Sequence, residues 1–187
     1  MIEVDKKYAP ITDTDSRYFI VTGGRGSGKS FSINLMLVLL TYEAGHTILF
    51  TRFTLASAYI SIIPEFLDKI ETLNIQEDFH ITKDEIINKR SGSKIIFKGI
   101  KTSSGDQTAN LKSLTNVSTW VMDEAEELVD ENIFDKIDLS VRNLKQQNRV
   151  IMILNPVTKE HWIYNRFFED KGVMEGSNTT KENTTYI

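Results

Sequence analysis

The chain has no cysteine among its 187 residues. That removes disulfide frameworks, thiolate zinc sites and cysteine nucleophiles together. Long hydrophobic runs are missing too: the longest apolar stretch, residues 35–40, is far short of the roughly 20 residues a membrane span needs, so no membrane association is expected. The opening MIEVDKKYAPITDTD is polar and acidic where a secretory signal is basic and then apolar, so export is not expected either. His46, His80 and His161 are far apart in sequence and show no metal-ligand spacing. There is no Asn-Lys-x-Asp segment of the kind that reads guanine, and no internal repeat.

What is present fits one globular domain. Forty per cent of the residues are apolar, and 22 Lys+Arg stand against 26 Asp+Glu, a net charge of −4. A chain of this length buries roughly 70% of its unfolded surface, so it needs no disulfide or structural metal to hold a core. Net acidity argues against a freestanding DNA-coating protein but leaves room for one local basic surface.

Residues 17–22, RYFIVT, form a short apolar run ending at glycines and predict a buried strand. Residues 30–43 carry Phe31, Ile33, Leu35, Met36, Leu39 and Leu40 at helical spacing and stop before Gly45. Residues 46–51, HTILFT, supply the next strand, completing a βαβ unit with parallel strands. Residues 55–73 predict a helix interrupted before Pro64. Short alternating runs between residues 79 and 100, around Ser91-Gly92-Ser93, suggest a β-hairpin inserted into the core or set at a sheet edge. Residues 117–122 and 150–154 are apolar strands bracketing a helix expected over 130–144. The division expected is a domain over 1–171 and a polar linker or frayed end over 172–187.

Gly23-Gly24-Arg25-Gly26-Ser27-Gly28-Lys29-Ser30 matches G-x-x-x-x-G-K-[ST], and it lies between a predicted strand and a predicted helix. Glycines let backbone amides turn inward around phosphate oxygens, and the helix N-terminus adds partial positive charge. In such a loop Lys29 lies against the β and γ phosphates of ATP and the Ser30 hydroxyl coordinates Mg²⁺. Hydrolysis needs a second acidic group at the end of a neighbouring strand, and TWVMDE supplies Asp123 for the metal and Glu124 as general base. An Asp-Glu pair here points to an ATPase rather than a GTPase. The further acids Glu126, Glu127, Asp130, Glu131, Asp135 and Asp138 read mostly as the solvated face of the following helix. Asn155, ahead of Pro156, either senses the γ phosphate or simply ends its strand in a turn.

Lys89, Arg90, Lys94, Lys98 and Lys101 occur with no acid between residues 86 and 105. They form either a stripe able to follow a DNA backbone or a solvated hairpin with edge-protecting lysines. Tyr8 and Pro10 are candidates to flank adenine, the alternative being packing onto the core.

Together GGRGSGKS, VSTWVMDEAEEL and ILNPVTKEHWIYNRFF resemble the ATPase domain of the large terminase subunit, the DNA-packaging motor of tailed double-stranded-DNA phages. The likeness spans nearly the whole chain. It implies an α/β P-loop NTPase fold of the RecA/ASCE type, a mainly parallel central sheet flanked by helices. It implies that Lys29, Ser30, Asp123 and Glu124 carry hydrolysis, that Arg25 reaches toward phosphate, and that Asn155 belongs to a coupling segment. Implied partners are double-stranded DNA, a portal protein, the small terminase subunit and further copies in a ring, with a monomer in isolation and the host cell cytoplasm as the location. A basic residue acting in trans on a neighbouring subunit's site has three candidates, Lys112, Arg142 and Arg52. The nuclease domain with which such subunits continue is not expected here, and so neither is DNA cleavage. The rival readings are a P-loop phosphotransferase, for which no arginine-rich lid segment is seen, and a nucleotide-dependent switch that does not act on DNA.

Overall fold

Runs that are apolar at every position become strands buried on both faces. The structure, a computed structural model, describes residues 5–102, 105–106, 111 and 114–187. Strands β1 (Tyr18–Thr22), β2 (Thr47–Thr54), β5 (Lys94–Thr102), β7 (Thr119–Asp123), β8 (Arg149–Leu154) and β10 (Thr184–Tyr186) run parallel in the spatial order β5-β2-β7-β8-β1-β10. Successive side chains divide between the two faces. Phe19, Val21, Phe50, Val121 and Ile151 join one apolar cluster, while Ile20, Leu49, Trp120, Met122 and Met152 join the other. Burial on both faces is what parallel strands require.

Helix α1 (Pro10–Asp13) precedes β1, and α2 (Lys29–Leu40) follows it, placing Ile33, Leu37 and Val38 on the first face. After β2 come α3 (Leu55–Ser57), a wide π-helical turn at Ala58–Ile62, and α4 (Ile63–Thr72) with Pro64 in its first turn. The chain stays helical across the break expected before Pro64: Ile62 keeps right-handed helical angles and Ile63 opens α4, so the irregularity takes the form of the π-helical turn instead. Gly99 on β5 lets this bend approach the sheet, because a Cβ there would stand 2.5 Å from the Leu55 nitrogen. Helix α5 (Glu131–Asp138) covers the second face with Phe134 and Ile137. It is shorter than the helix expected over 130–144. Residues 143–148 instead form a loop in which the Asn143 side chain accepts from the Lys145 and Gln146 amides and donates to the Asn116 carbonyl.

The expected hairpin is a sheet edge. β3 (Phe79–Ile81) pairs antiparallel with β4 (Glu85–Asn88), and β4 with β5, while the short β6 (Gly105–Asp106) pairs with the far end of β5. The expected polar tail over 172–187 is corrected. β9 (Thr179–Lys181) and β10 form a hairpin whose Thr184, Thr185 and Tyr186 are buried, with β10 added to β1. Its turn residues Glu182 and Asn183 have φ of 46° and 63°, the left-handed pair of a type I′ turn. Thr185 Oγ1 lies 2.8 Å from Ser16 Oγ at the other end of the sequence, while the Thr184 hydroxyl donates to the nearby Glu182 carbonyl. Ile187 then closes on β1, donating to Ile20 and accepting from Thr22 directly before the glycine loop.

Candidate nucleotide site

Three neighbouring strands end at one place. β1 runs into the glycine loop, β7 ends at Asp123, and β8, lying between them, ends one residue before Asn155. Ligands of open α/β sheets bind outside such carboxyl ends. A cavity of about 440 Å³ opens there, lined by Arg25 to Ser30 of the loop, by Asp123, Glu124 and Glu126 after β7, and by Arg52 and Asn155.

Gly26 and Gly28 take φ of 76° and 78°, left-handed values that cost a side-chain-bearing residue about 1–2 kcal/mol. Gly28 is thereby the N-cap of α2, whose unpaired amides face the cavity. Lys29 is nine-tenths buried at 9% exposure. Its ammonium donates to the carbonyls of Gly23 and Gly24, and burial lowers its pKa while Glu126 and Asp123 pull the other way. These loop acceptors are neutral, so an anionic phosphate is the stronger partner for Lys29. Arg25 is exposed at the cavity mouth.

Glu124 has φ of 53°, and this left-handed step turns the chain sharply as it leaves β7. Both members of the acid pair meet Arg52 of β2: its Nε donates to Asp123 Oδ2 at 2.8 Å and its NH2 lies 2.8 Å from Glu124 Oε1. NH1 of the same guanidinium donates to Ser61 Oγ at 2.9 Å, so the π-helical turn is tied to the site. Burial raises the pKa of Asp123 and of Glu124, and Arg52 opposes the rise in both.

A family model for the phage terminase large subunit matches residues 15–187. The chain belongs to that family. Among curated relatives, the PBSX phage terminase large subunit of Bacillus subtilis (strain 168) is 28% identical over 158 residues, covering 84% of this terminase chain and 35% of that protein. The chain thus spans about a third of the length of the curated relative it matches. Among solved structures, the large terminase of a thermophilic bacteriophage superposes with a TM-score of 0.71 at 12% identity, over 100% of this chain and 45% of that one. The same phage protein has also been solved in complex with ADP, with a TM-score of 0.67 at 12% identity over 95% of this chain and 40% of that one. The large terminase ATPase domain of Thermus phage P74-26 gives 0.70 at 18% identity, over 99% and 80% of the two chains. At these identities the structural matches establish the α/β fold.

For several residues singled out in the terminase sequence the structure decides between the alternatives that the sequence left open. Tyr8 is 1% exposed and packs in the first-face core, so its ring does not flank an open site. Its neighbour Lys7 instead lines a second cavity, of about 430 Å³, with Thr22, Gly23, Pro156, Glu175 and Ile187. Pro10 opens α1 and lines neither cavity. Arg52 is committed to the acid pair of its own chain. Arg142 is exposed in the loop ahead of β8, at the opposite end of the sheet from the cavity. Lys112 lies outside the described residues.

The basic stripe is largely balanced by acids that the hairpin brings across from it. Arg90 bonds Asp78 at 2.6 Å, Lys94 meets Glu85 at 3.2 Å and Lys98 meets Asp84 at 3.1 Å. Lys101 lies over the Phe53 ring, while Lys89 is exposed. Pairing of β4 with β5 brings Asp84 and Glu85 across, and pairing of β3 with β4 brings Asp78, acids that a linear reading of residues 86–105 leaves out.

Glu126 is also not on the solvated helix face expected of it. It sits on the 3₁₀ turn Ala125–Glu127, lines the cavity, and accepts from Asn155 Nδ2 at 2.6 Å. Its position two residues beyond the acid pair is the only signal the sequence carries for this. Asp138 is likewise not free: it takes hydrogen bonds from Arg17 at 2.7 Å and from the Tyr18 hydroxyl at 2.9 Å.

Proposed function

We propose that this chain is the ATP-hydrolysing motor domain of a phage terminase, powering translocation of double-stranded DNA into a procapsid. The observation that carries the reading is the convergence of Lys29, Ser30, Asp123, Glu124 and Asn155 on one cavity at the ends of β1, β7 and β8.

In this reading the loop amides and Lys29 hold the phosphates, with Arg25 closing on them from the rim. The Ser30 hydroxyl and the Asp123 carboxylate are hard oxygen donors suited to Mg²⁺, which keeps waters and phosphate oxygens as its other ligands. Among the described residues no cluster of three or more acidic, histidine or cysteine side chains forms a metal cage of its own, and Mg²⁺ in such a site needs none. Held by these two oxygens, Mg²⁺ would supply positive charge against the phosphates. Glu124 takes the proton of the attacking water, which requires its carboxylate to leave the Arg52 guanidinium. Asn155 senses whether the γ phosphate is present.

DNA, a portal protein, the small terminase subunit and neighbouring copies in a ring are the proposed partners, and the host cytoplasm the proposed location. No described helix is long and apolar enough to cross a membrane. The test is ATP turnover per chain over a wide protein concentration range, with and without double-stranded DNA. Turnover that rises with concentration or with DNA supports a motor whose site is completed by a neighbour. Flat, DNA-blind turnover identifies a self-contained ATPase instead.

A further inference from the structure

The side chain of Asn155 is already engaged. Its Nδ2 donates to Glu126 Oε1 at 2.6 Å, a charge-assisted bond and so about twice the strength of a neutral one. The other carboxylate oxygen, Glu126 Oε2, is buried and has no hydrogen-bond partner among the described residues. A buried, unpaired carboxylate oxygen is costly, so the hold on Asn155 comes at the expense of solvating Glu126. The backbone at Glu126 is fixed from another direction: His161 Nδ1 accepts from the Ile163 amide at 3.2 Å, which leaves Nε2 protonated to donate to the Glu126 carbonyl at 3.1 Å. The turn after the acid pair is therefore joined to the end of β8 through a side chain and to residues 161–163 through its backbone.

We propose that Glu126 is a positioning residue that competes with the γ phosphate of a bound nucleotide for the side chain of Asn155. This rests on the P-loop reading of the cavity. Glu126 lines the same cavity as the phosphate loop, so a phosphate placed there repels its carboxylate and offers the Asn155 amide an alternative anionic acceptor. A diphosphate lacks the group that would reach this end of the cavity, so Asn155 stays on Glu126. The pair thus discriminates triphosphate from diphosphate at the residue that begins the segment leading away from the sheet. The solvated-face reading of Glu126 gives it no such role, and neither does simple packing.

The test compares dissociation constants for ADP and for a non-hydrolysable ATP analogue, both with Mg²⁺, by titration calorimetry. Wild type, Glu126→Gln, Asn155→Ala and the double variant are measured. Glu126→Gln keeps the shape and an acceptor oxygen but removes the charge, so the analogue gains on the order of fivefold in affinity relative to ADP. The relative gain vanishes when Asn155 is alanine. Glu126→Asp, which keeps the charge but withdraws it by one methylene, shifts the ratio in the same direction. Equal shifts for both nucleotides overturn the proposal, as does an undiminished gain without Asn155, because Glu126 then acts only as a charge in the cavity. A wild type that binds neither nucleotide overturns the P-loop reading and this inference with it. Intact wild-type binding with an unmoved ratio overturns this inference alone.

Discussion

Arg52 and Asp123 form an ion pair of 2.8 Å between neighbouring strands, with side chains only 15% and 4% exposed. The Asp123 carboxylate is thus neutralised from within its own chain, and the same guanidinium also holds Glu124.

Replacing Arg52 by alanine leaves a buried carboxylate without its counter-charge, a change that typically costs about 3–5 kcal/mol. Arg52→Ala should therefore lower the unfolding free energy extrapolated from urea titration by an amount of that order, and Arg52→Lys should recover little of it. A lysine cannot reach two carboxylates and Ser61 at once in the planar geometry of the guanidinium. Added Mg²⁺ and ADP should narrow the gap between Arg52→Ala and wild type, because a cation at Asp123 takes over the neutralisation. A gap that stays constant would separate Asp123 from the metal.

Turnover should depend on pH through Glu124. Burial raises its pKa above the ordinary 4.5, and Arg52 opposes that rise. The carboxyl acts as a base only when ionised, so activity falls on the acid side through a value above the ordinary one. Removing Arg52 should move this acid limb to higher pH. The stability consequence has the same origin: between the ordinary and the raised pKa the unfolded chain binds fewer protons than the folded one, so Glu124 and Asp123 lower stability as pH rises through that interval. Turnover measured as a function of pH through the acid limb checks the direction for wild type and Arg52→Ala; a limb moving to lower pH on removal of Arg52 contradicts it.

The C-terminal hairpin should behave as core. Tyr186 is 2% exposed, with its hydroxyl bonded to the Phe167 carbonyl. Tyr186→Ala should cost about 3–5 kcal/mol, the range for deleting a large buried aromatic side chain. Equilibrium unfolding measures it, and a loss below about 1 kcal/mol, the scale of a surface substitution, would return residues 184–187 to the status of a tail.

How far this molecule can be read from its residues follows from where each signal resides. The phosphate loop, the acid pair and the parallel strands are legible because their chemistry is local: glycines at fixed offsets, and apolar runs ending in Asp123 and Asn155. The terminal strand is hidden because Thr184 and Thr185 are polar by type yet buried, and the Thr185 hydroxyl is satisfied by Ser16, a neighbour that only the fold supplies. The engagement of Arg52 with the acid pair joins residues 71 positions apart, and no spacing rule reports it. Charge misleads for the same reason. The basic residues of β5 look unbalanced along the chain and are paired across the hairpin with Asp84 and Glu85.

The most direct measurement is nucleotide binding and hydrolysis in Glu124→Gln beside wild type, with Lys29→Ala as the binding-deficient comparison. Glu124→Gln should retain ATP affinity within a few-fold while turnover falls by about 100-fold or more, the usual share of a general base. Lys29→Ala should lose binding itself. Wild-type turnover in Glu124→Gln would contradict the assignment of Glu124 as the base and, with it, the hydrolytic reading of the cavity.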